Sequence, residues 1–303
     1  MSNILVGLLV YTLVKKLVSK EQVGFFIKVM LWLCVANLAM IILQLTGYDF
    51  IYKLLVDGQP TNGNHEPAGL MGLKAMMGVL MACCVPLALT RRQIAIKILG
   101  ILLFIPIFMS QSFIAIIAGM VGSLFVLYQK RKKMTMILSV GLLVACMVGG
   151  FVINAKWKEK VDSSIGKRAQ QWKESLSDCM KFPITGYGLD SFRNVNSKKE
   201  FVYVTVSDDK KADTWDNPHN IIISLFFEWG LLGLIFFVGY IRKAVIDFNK
   251  SLKEPNTIAL AGFAIVVLIT SMVQFPLWFA RTACFIVPML ALMETQFKKG
   301  VTT

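Results

Sequence analysis

Apolar residues run along this chain in blocks, broken by short polar stretches at 4–18, 23–46, 70–89, 94–109, 112–128, 134–153, 221–241, 258–274 and 283–293. Most blocks are about 15 to 24 residues long, near the length a helix needs to cross about 30 Å of hydrocarbon. Backbone N–H and C=O groups facing lipid must be satisfied within their own segment, so such blocks read as helices. The pattern predicts an all-α, polytopic transmembrane bundle of about nine spans. One long polar segment, 154–220, interrupts it. The chain therefore divides into N-terminal helices over 1–153, a large loop over 154–220 and C-terminal helices over 221–303.

The loop has a pattern of its own. Ser163 or Ser164 can cap a helix running to about Met180. In it Ile165, Ala169, Trp172, Leu176 and Cys179 recur at helical spacing, as for a face lying on the membrane interface. Arg168, Gln171 and Ser175 share a different face. Phe182-Pro183 ends the helix, and Gly186-Tyr187-Gly188 permits backbone conformations closed to other residues. Alternating β-branched residues over 201–206 predict a short strand, and 207–216 reads as a polar, mobile connection.

Composition agrees with the pattern: 56% of the 303 residues are hydrophobic and the mean hydropathy is +0.63. The net charge of +14 raises nucleic acid or anionic lipid as partners, but its distribution reports orientation instead. Lys15, Lys16, Lys20, Arg91, Arg92, Lys97, 130–133, Arg242, Lys243, Lys250, Lys253, Lys298 and Lys299 fall in short connections and the C-terminal tail, opposed by Glu21, Asp247 and Glu254. Those connections are placed on the inner side, the loop on the outer side. Cysteines lie in apolar runs apart from Cys179, and their spacing suggests neither a disulfide framework nor a zinc site. The first apolar run lacks a small-residue cleavage site and does not read as a removable signal peptide.

Chemistry concentrates at the loop's two ends. Asp216 or Asn217 can cap the helix that follows, with Pro218 in its first turn, placing His219 at the membrane edge beside the positive end of the helix dipole. That field favours a neutral imidazole, which can accept a proton from a hydroxyl. The plainer reading of His219 is an interfacial polar residue bonded to the loop. Arg168 offers a guanidinium matched to phosphate oxygens, or simply a headgroup contact. Lys74 is placed in the outer third of a span, where a charge is costly and often functional. Arg193 and Arg281 fall near span ends on the outer side, and with Lys74 and Tyr187 they are the candidate substrate contacts. Glu228, a few turns below His219, is expected to pair with a buried polar group. His65, beside Glu66-Pro67, reads as solvated. Asp208, Asp209, Asp213 and Asp216 suit a solvated loop better than a metal site. Glycine pairs at 119/122 and 230/233 read as close helix contacts. No phosphate-cradling glycine loop, dinucleotide motif or Ser/His/Asp arrangement occurs.

Taken in order, Arg168-Ala-Gln-Gln-Trp172, Phe182-Pro183, Gly186-Tyr-Gly-Leu-Asp-Ser-Phe192, Pro218-His219-Asn220 and Glu228-Trp-Gly-Leu-Leu-Gly233 resemble the signature of the O-antigen ligase and polymerase family. The match covers about 150–240, with a weaker likeness over 60–130. The resemblance implies a glycosyltransferase of the C type in the bacterial inner membrane, with its large loop periplasmic. Such enzymes move a glycan from undecaprenyl pyrophosphate to an acceptor hydroxyl, on a growing glycan or a lipid A–core, without metal or nucleotide sugar. It implies that His219 activates or orients the acceptor and that Arg168 binds pyrophosphate. After Ser110-Gln111-Ser112 the chain has Phe113 where the family has arginine, which leaves Lys74 or Arg281 to supply that charge. Two alternatives are a transporter or flippase for an anionic lipid or solute, and a non-catalytic member of the same family. The transporter reading calls for mid-span charges and broken helices in related halves.

Overall fold

The computed structural model describes residues 2–46, 68–71, 73–130, 155–196, 201–204, 210–213, 217–251, 254–274, 276–277 and 280–298. The span expected over 134–153, His65 and most of the first outer loop lie outside them. The described chain is essentially all-helical: α1 Ser2–Leu17, α2 Val23–Leu45, α3 Lys74–Leu89, α4 Ile94–Leu102, α5 Phe104–Met109, α6 Phe113–Lys130, α7 Ala155–Cys179, α8 Ser191–Asn196, α9 Ile221–Lys250, α10 Pro255–Ser271 and α11 Ala280–Lys298. One antiparallel ribbon pairs β1 (Phe201–Val204) with β2 (Lys210–Asp213), Phe201 opposite Asp213 and Val204 opposite Lys210. Among the described residues, Lys20–Leu45 and Ile221–Lys250 are long and apolar enough to cross a membrane, and several shorter apolar helices accompany them.

The chain forms two compact units, one of residues 2–135, 246–270 and 276–303, the other of 136–245 and 271–275. In the first, α3 is the central helix. It is apolar all round and buried from Met76 to Ala88, the signature of a helix enclosed on every side. Small residues let its neighbours approach: a Cβ on Gly119 would lie 3.3 Å from the Ala82 methyl, and one on Gly262 2.7 Å from Pro86. The glycine pair at 119/122 thus serves as predicted.

Helix α3 starts at Lys74 rather than near residue 70. Polar groups on α2 hold the preceding turn: Asn37 Oδ1 accepts the Leu70 amide at 2.6 Å, and Gln44 Oε1 accepts those of Gly69 and Ala68 at 2.7 and 3.0 Å. Amides so engaged form a turn of 3₁₀ helix, Gly69–Met71, instead of the first turn of α3. Similarly, 94–109 is two helices rather than one, because Pro106 has no N–H to offer the carbonyl four residues back at Leu102. Basic residues expected to mark the inner side pair with acids, Lys15 with Glu294 and Lys20 with Glu254, and the Tyr11 hydroxyl also donates to Glu294.

The second unit is built on a break. Helix α9 is interrupted at Gly230, where φ is 62° and ψ −154°. In an unbroken helix the amides of Leu231 and Leu232 would donate to the carbonyls of Phe227 and Glu228. Here the segment preceding α8 steps in. Tyr187 and Gly188 amides donate to those two carbonyls at 2.8 and 2.9 Å, while Leu231 and Leu232 donate to Pro183 and Ile184 at 2.8 and 3.4 Å. These two carbonyls and two amides released by the break are thereby taken up, as a low-dielectric setting demands. The approach tolerates no side chain: a Cβ on Gly230 would sit 2.3 Å from the Ile184 carbonyl oxygen, and one on Gly186 2.5 Å from the Glu228 carbonyl carbon. Gly230 therefore belongs to a helix break, not to the helix-packing pair expected from its spacing. Aromatic packing seals the crossing, with Tyr187 stacked on Phe227 at 4.7 Å between centroids and Phe192 edge-on to Phe227 at 4.9 Å, beside buried Cys179.

Gly230→Ala should lower stability by more than the roughly 1–3 kcal/mol of a strained backbone position alone, because its Cβ also meets the Ile184 carbonyl. Gly239→Ala, whose Cβ would meet nothing within 4 Å, should leave it unchanged or raise it by up to about 1 kcal/mol, the helix preference for Ala over Gly. Thermal unfolding of the purified protein in detergent compares the two.

Candidate active site

Helix α7 carries one wall of the site. It begins at Ala155, well before the serines expected to cap it, and runs unbroken to Cys179. Its apolar positions do not form one interfacial face: Ala169 and Leu176 are exposed while Cys179 is buried. The working face is instead Arg168, Gln171 and Trp172, spaced i, i+3, i+4 so that all three project together.

Opposite them lies the turn 217–220. The cap of α9 is Asn220, not Asp216 or Asn217: Asn220 Oδ1 accepts the amides of Ile222 and Ile223 at 2.9 and 3.2 Å. Pro218 consequently precedes the helix instead of filling its first turn. His219, immediately before the cap, has φ +50°, a left-handed backbone uncommon for a residue with a Cβ. Its amide donates to Asn217 Oδ1 at 3.0 Å. Two side chains of α7 grip the turn from outside: Gln171 Nε2 donates to the Asn217 carbonyl at 2.6 Å and the Trp172 indole N–H to the Pro218 carbonyl at 2.8 Å.

This arrangement brings Arg168 near enough for its charge to act on His219. The imidazole pKa falls from 6.5 to about 4, first because burial disfavours the cation, second because the Arg168 guanidinium repels it. Burial also lowers the pKa of Arg168, but a guanidinium stays charged. At neutral pH the pair is therefore a neutral base beside a fixed cation.

The other candidates stand as follows. Arg193 is exposed on α8, in the same unit. Tyr187 is half-buried, its ring packed on Phe227 and edge-on to Phe182. Lys74 is half-buried in the other unit and is the first residue of α3, so it stands at a helix end rather than inside the outer third of a span. Arg281 falls in α11 of that unit. Phe113 opens α6 with its ring 54% exposed. Glu228 is buried and, as expected, finds a polar partner: the Asp190 amide hydrogen-bonds to its carboxylate.

A family model described as O-antigen ligase matches residues 76–238. The chain belongs to the O-antigen ligase family. Against individual curated proteins it has no match. The family's work is transfer of lipid-linked glycans by membrane-embedded proteins, and the apolar helices of this chain agree with that setting. The ligase match takes in Arg168, Gln171, Trp172, Tyr187, Arg193 and His219 and leaves out Lys74 and Arg281. Sequence spacing missed the grip of Gln171 and Trp172. Both lie one turn from Arg168, and that i, i+3, i+4 relation was the available signal.

The protein has two histidines, so ¹⁵N-histidine NMR in detergent, assigned with His65→Gln, reads His219 directly. Its titration should centre near pH 4, and Arg168→Gln should move it upward by removing the neighbouring charge. Because the folded value lies below the ordinary 6.5, the fold favours the neutral ring. That contribution to stability is complete above about pH 6.5 and should be lost as pH falls from there through about 4.

Proposed function

We propose that the protein transfers a glycan from undecaprenyl pyrophosphate to an acceptor hydroxyl at the periplasmic face of the inner membrane, as an O-antigen ligase or polymerase. The observation that carries this reading is a neutral imidazole held beside a permanent cation by one helix and one turn, within a chain of the ligase family. In the proposed step His219 takes the proton of the acceptor hydroxyl and the oxygen bonds to the anomeric carbon of the donor sugar. The bond from that carbon to the pyrophosphate oxygen breaks, and undecaprenyl pyrophosphate leaves with the electron pair. The leaving group is already a stable anion. The protein's task is therefore to align two substrates, neutralise charge and move one proton.

Arg168 is the residue we assign to the pyrophosphate, since its planar fork matches two phosphate oxygens. Arg193, Lys74, Arg281 and Tyr187 are proposed further substrate contacts, with Lys74 or Arg281 supplying the charge that Phe113 lacks. The Tyr187 ring is packed against both Phe227 and Phe182, so such a role falls to its hydroxyl. Arg168 also has a second effect. While its charge is unopposed it keeps His219 a weak base. An anionic diphosphate against the guanidinium would offset that charge and strengthen the base. Donor binding would thus prepare the proton acceptor.

A transport role is the alternative that one feature favours, the broken helix at Gly230, since transporters use broken helices to bind solutes. In this chain the carbonyls released at positions 227 and 228 are occupied by the 187 and 188 amides, which counts against an ion site there.

His219→Ala and Arg168→Ala should each reduce transfer by about 100-fold or more, the lower end of what a positioned acid–base group contributes, while the protein remains in the membrane. The assay is glycan transfer from a lipid-linked oligosaccharide by purified protein. Full transfer by His219→Ala would reject its role as base.

A further inference from the structure

We infer that Gln171 and Trp172 are positioning residues, whose two hydrogen bonds to the carbonyls of Asn217 and Pro218 hold the His219 turn in its left-handed form and keep the imidazole facing Arg168. This rests on the reading of His219 as the base. A left-handed residue with a Cβ is disfavoured relative to the right-handed form, because its Cβ crowds the following carbonyl oxygen. Around His219, φ is +50° and Pro218 has no N–H with which to tie the turn internally. The local bonds are the Asn217 side chain to the His219 amide and the Asn220 side chain to the first amides of α9. The first closes the turn on itself and the second fixes it to α9, and neither fixes it to the helix that carries Arg168.

Among the described residues, two hydrogen bonds from α7 do that. Gln171 is buried, Trp172 is half-buried, and their donors reach successive carbonyls at 2.6 and 2.8 Å. Because Arg168 precedes them by three and four residues, one rigid helical face carries both the cation and the two grips. A rigid element fixes the distance between two groups better than a loop does. Breaking the grips releases the turn without touching either reacting group.

The variants remove the donors and keep an apolar chain of similar length or an aromatic ring in their place: Gln171→Met, Trp172→Phe and the double variant, in the full-length protein. Three readouts are compared with the parent: His219 titration by ¹⁵N NMR, kcat, and KM for the lipid-linked donor. The expected result is that the His219 midpoint rises from about 4 toward 6.5 as the ring moves away from Arg168 and toward water. With it kcat should fall about tenfold in the double variant, on the magnitude of two lost hydrogen bonds, with donor KM unchanged because Arg168 is intact. A lost kcat with an unmoved titration would mean the bonds support only the general fold and would overturn the inference. So would a rise in KM alone, or no change in any readout. Should the double variant not fold, Trp172→Phe, which keeps its ring, decides by the same titration. If His219→Ala proves fully active, the assignment of the base fails, yet the titration still tells whether the grip sets the imidazole's surroundings.

Discussion

A backbone polar group shielded from water must find a partner, and the second unit is arranged around one instance of that rule. Helix α9 gives up two of its own hydrogen bonds at Gly230, and residues 183–188 replace them strand-fashion, donor for donor and acceptor for acceptor. Two consequences follow. The chain after α7 is fixed to α9 by four main-chain bonds, which are indifferent to side-chain identity except at Gly186 and Gly230, where nothing larger fits. The end of α7 is then held near the start of α9, because Cys179 and Phe227 share one buried cluster with Phe192. With its C-terminal end held there, α7 can lay Arg168, Gln171 and Trp172 along the turn that precedes α9.

The electrostatics at that turn follow from burial more than from helix geometry. Sequence reasoning appealed to the helix dipole to keep His219 neutral, but His219 sits outside the first turn, with Asn220 between it and the helix. The stronger effects are removal from water and the Arg168 charge. The conclusion, a neutral ring, is the same, with burial first among its causes and the Arg168 charge on α7 second.

How much of this was legible in the linear chain depends on how local the cause was. The apolar blocks announced helices because burial in lipid or protein acts on composition directly, and the family signature over the loop was readable because it is an ordered set of short motifs. The strand over Phe201–Val204 followed from alternation, whereas its partner Lys210–Asp213 has no apolar pattern and is recognised by its backbone pairing. The late start of α3 was hidden because Asn37 and Gln44 hold it from α2, some thirty positions earlier in the chain. The break at Gly230 was misread as helix packing for a similar reason. A glycine within an apolar run carries no mark of a backbone segment that arrives from more than forty residues upstream. Arg168 and His219 were singled out by chemistry, but the Gln171 and Trp172 bonds between their elements could be seen only once α7 and the turn were set side by side.

The interruption in α9 also has a mechanical side. Phe227 and Glu228 before the break and Leu231 and Leu232 after it are all bound to the 183–188 segment, and beyond them Ile235, Phe236 and Val238 present exposed apolar side chains. A continuous rod would carry any tilting of that greasy portion straight up to the histidine. Broken at Gly230 and clamped to the 183–188 segment on both sides, α9 has a splinted joint there, so the turn that carries the histidine takes its position from that splint and not from the helix axis below.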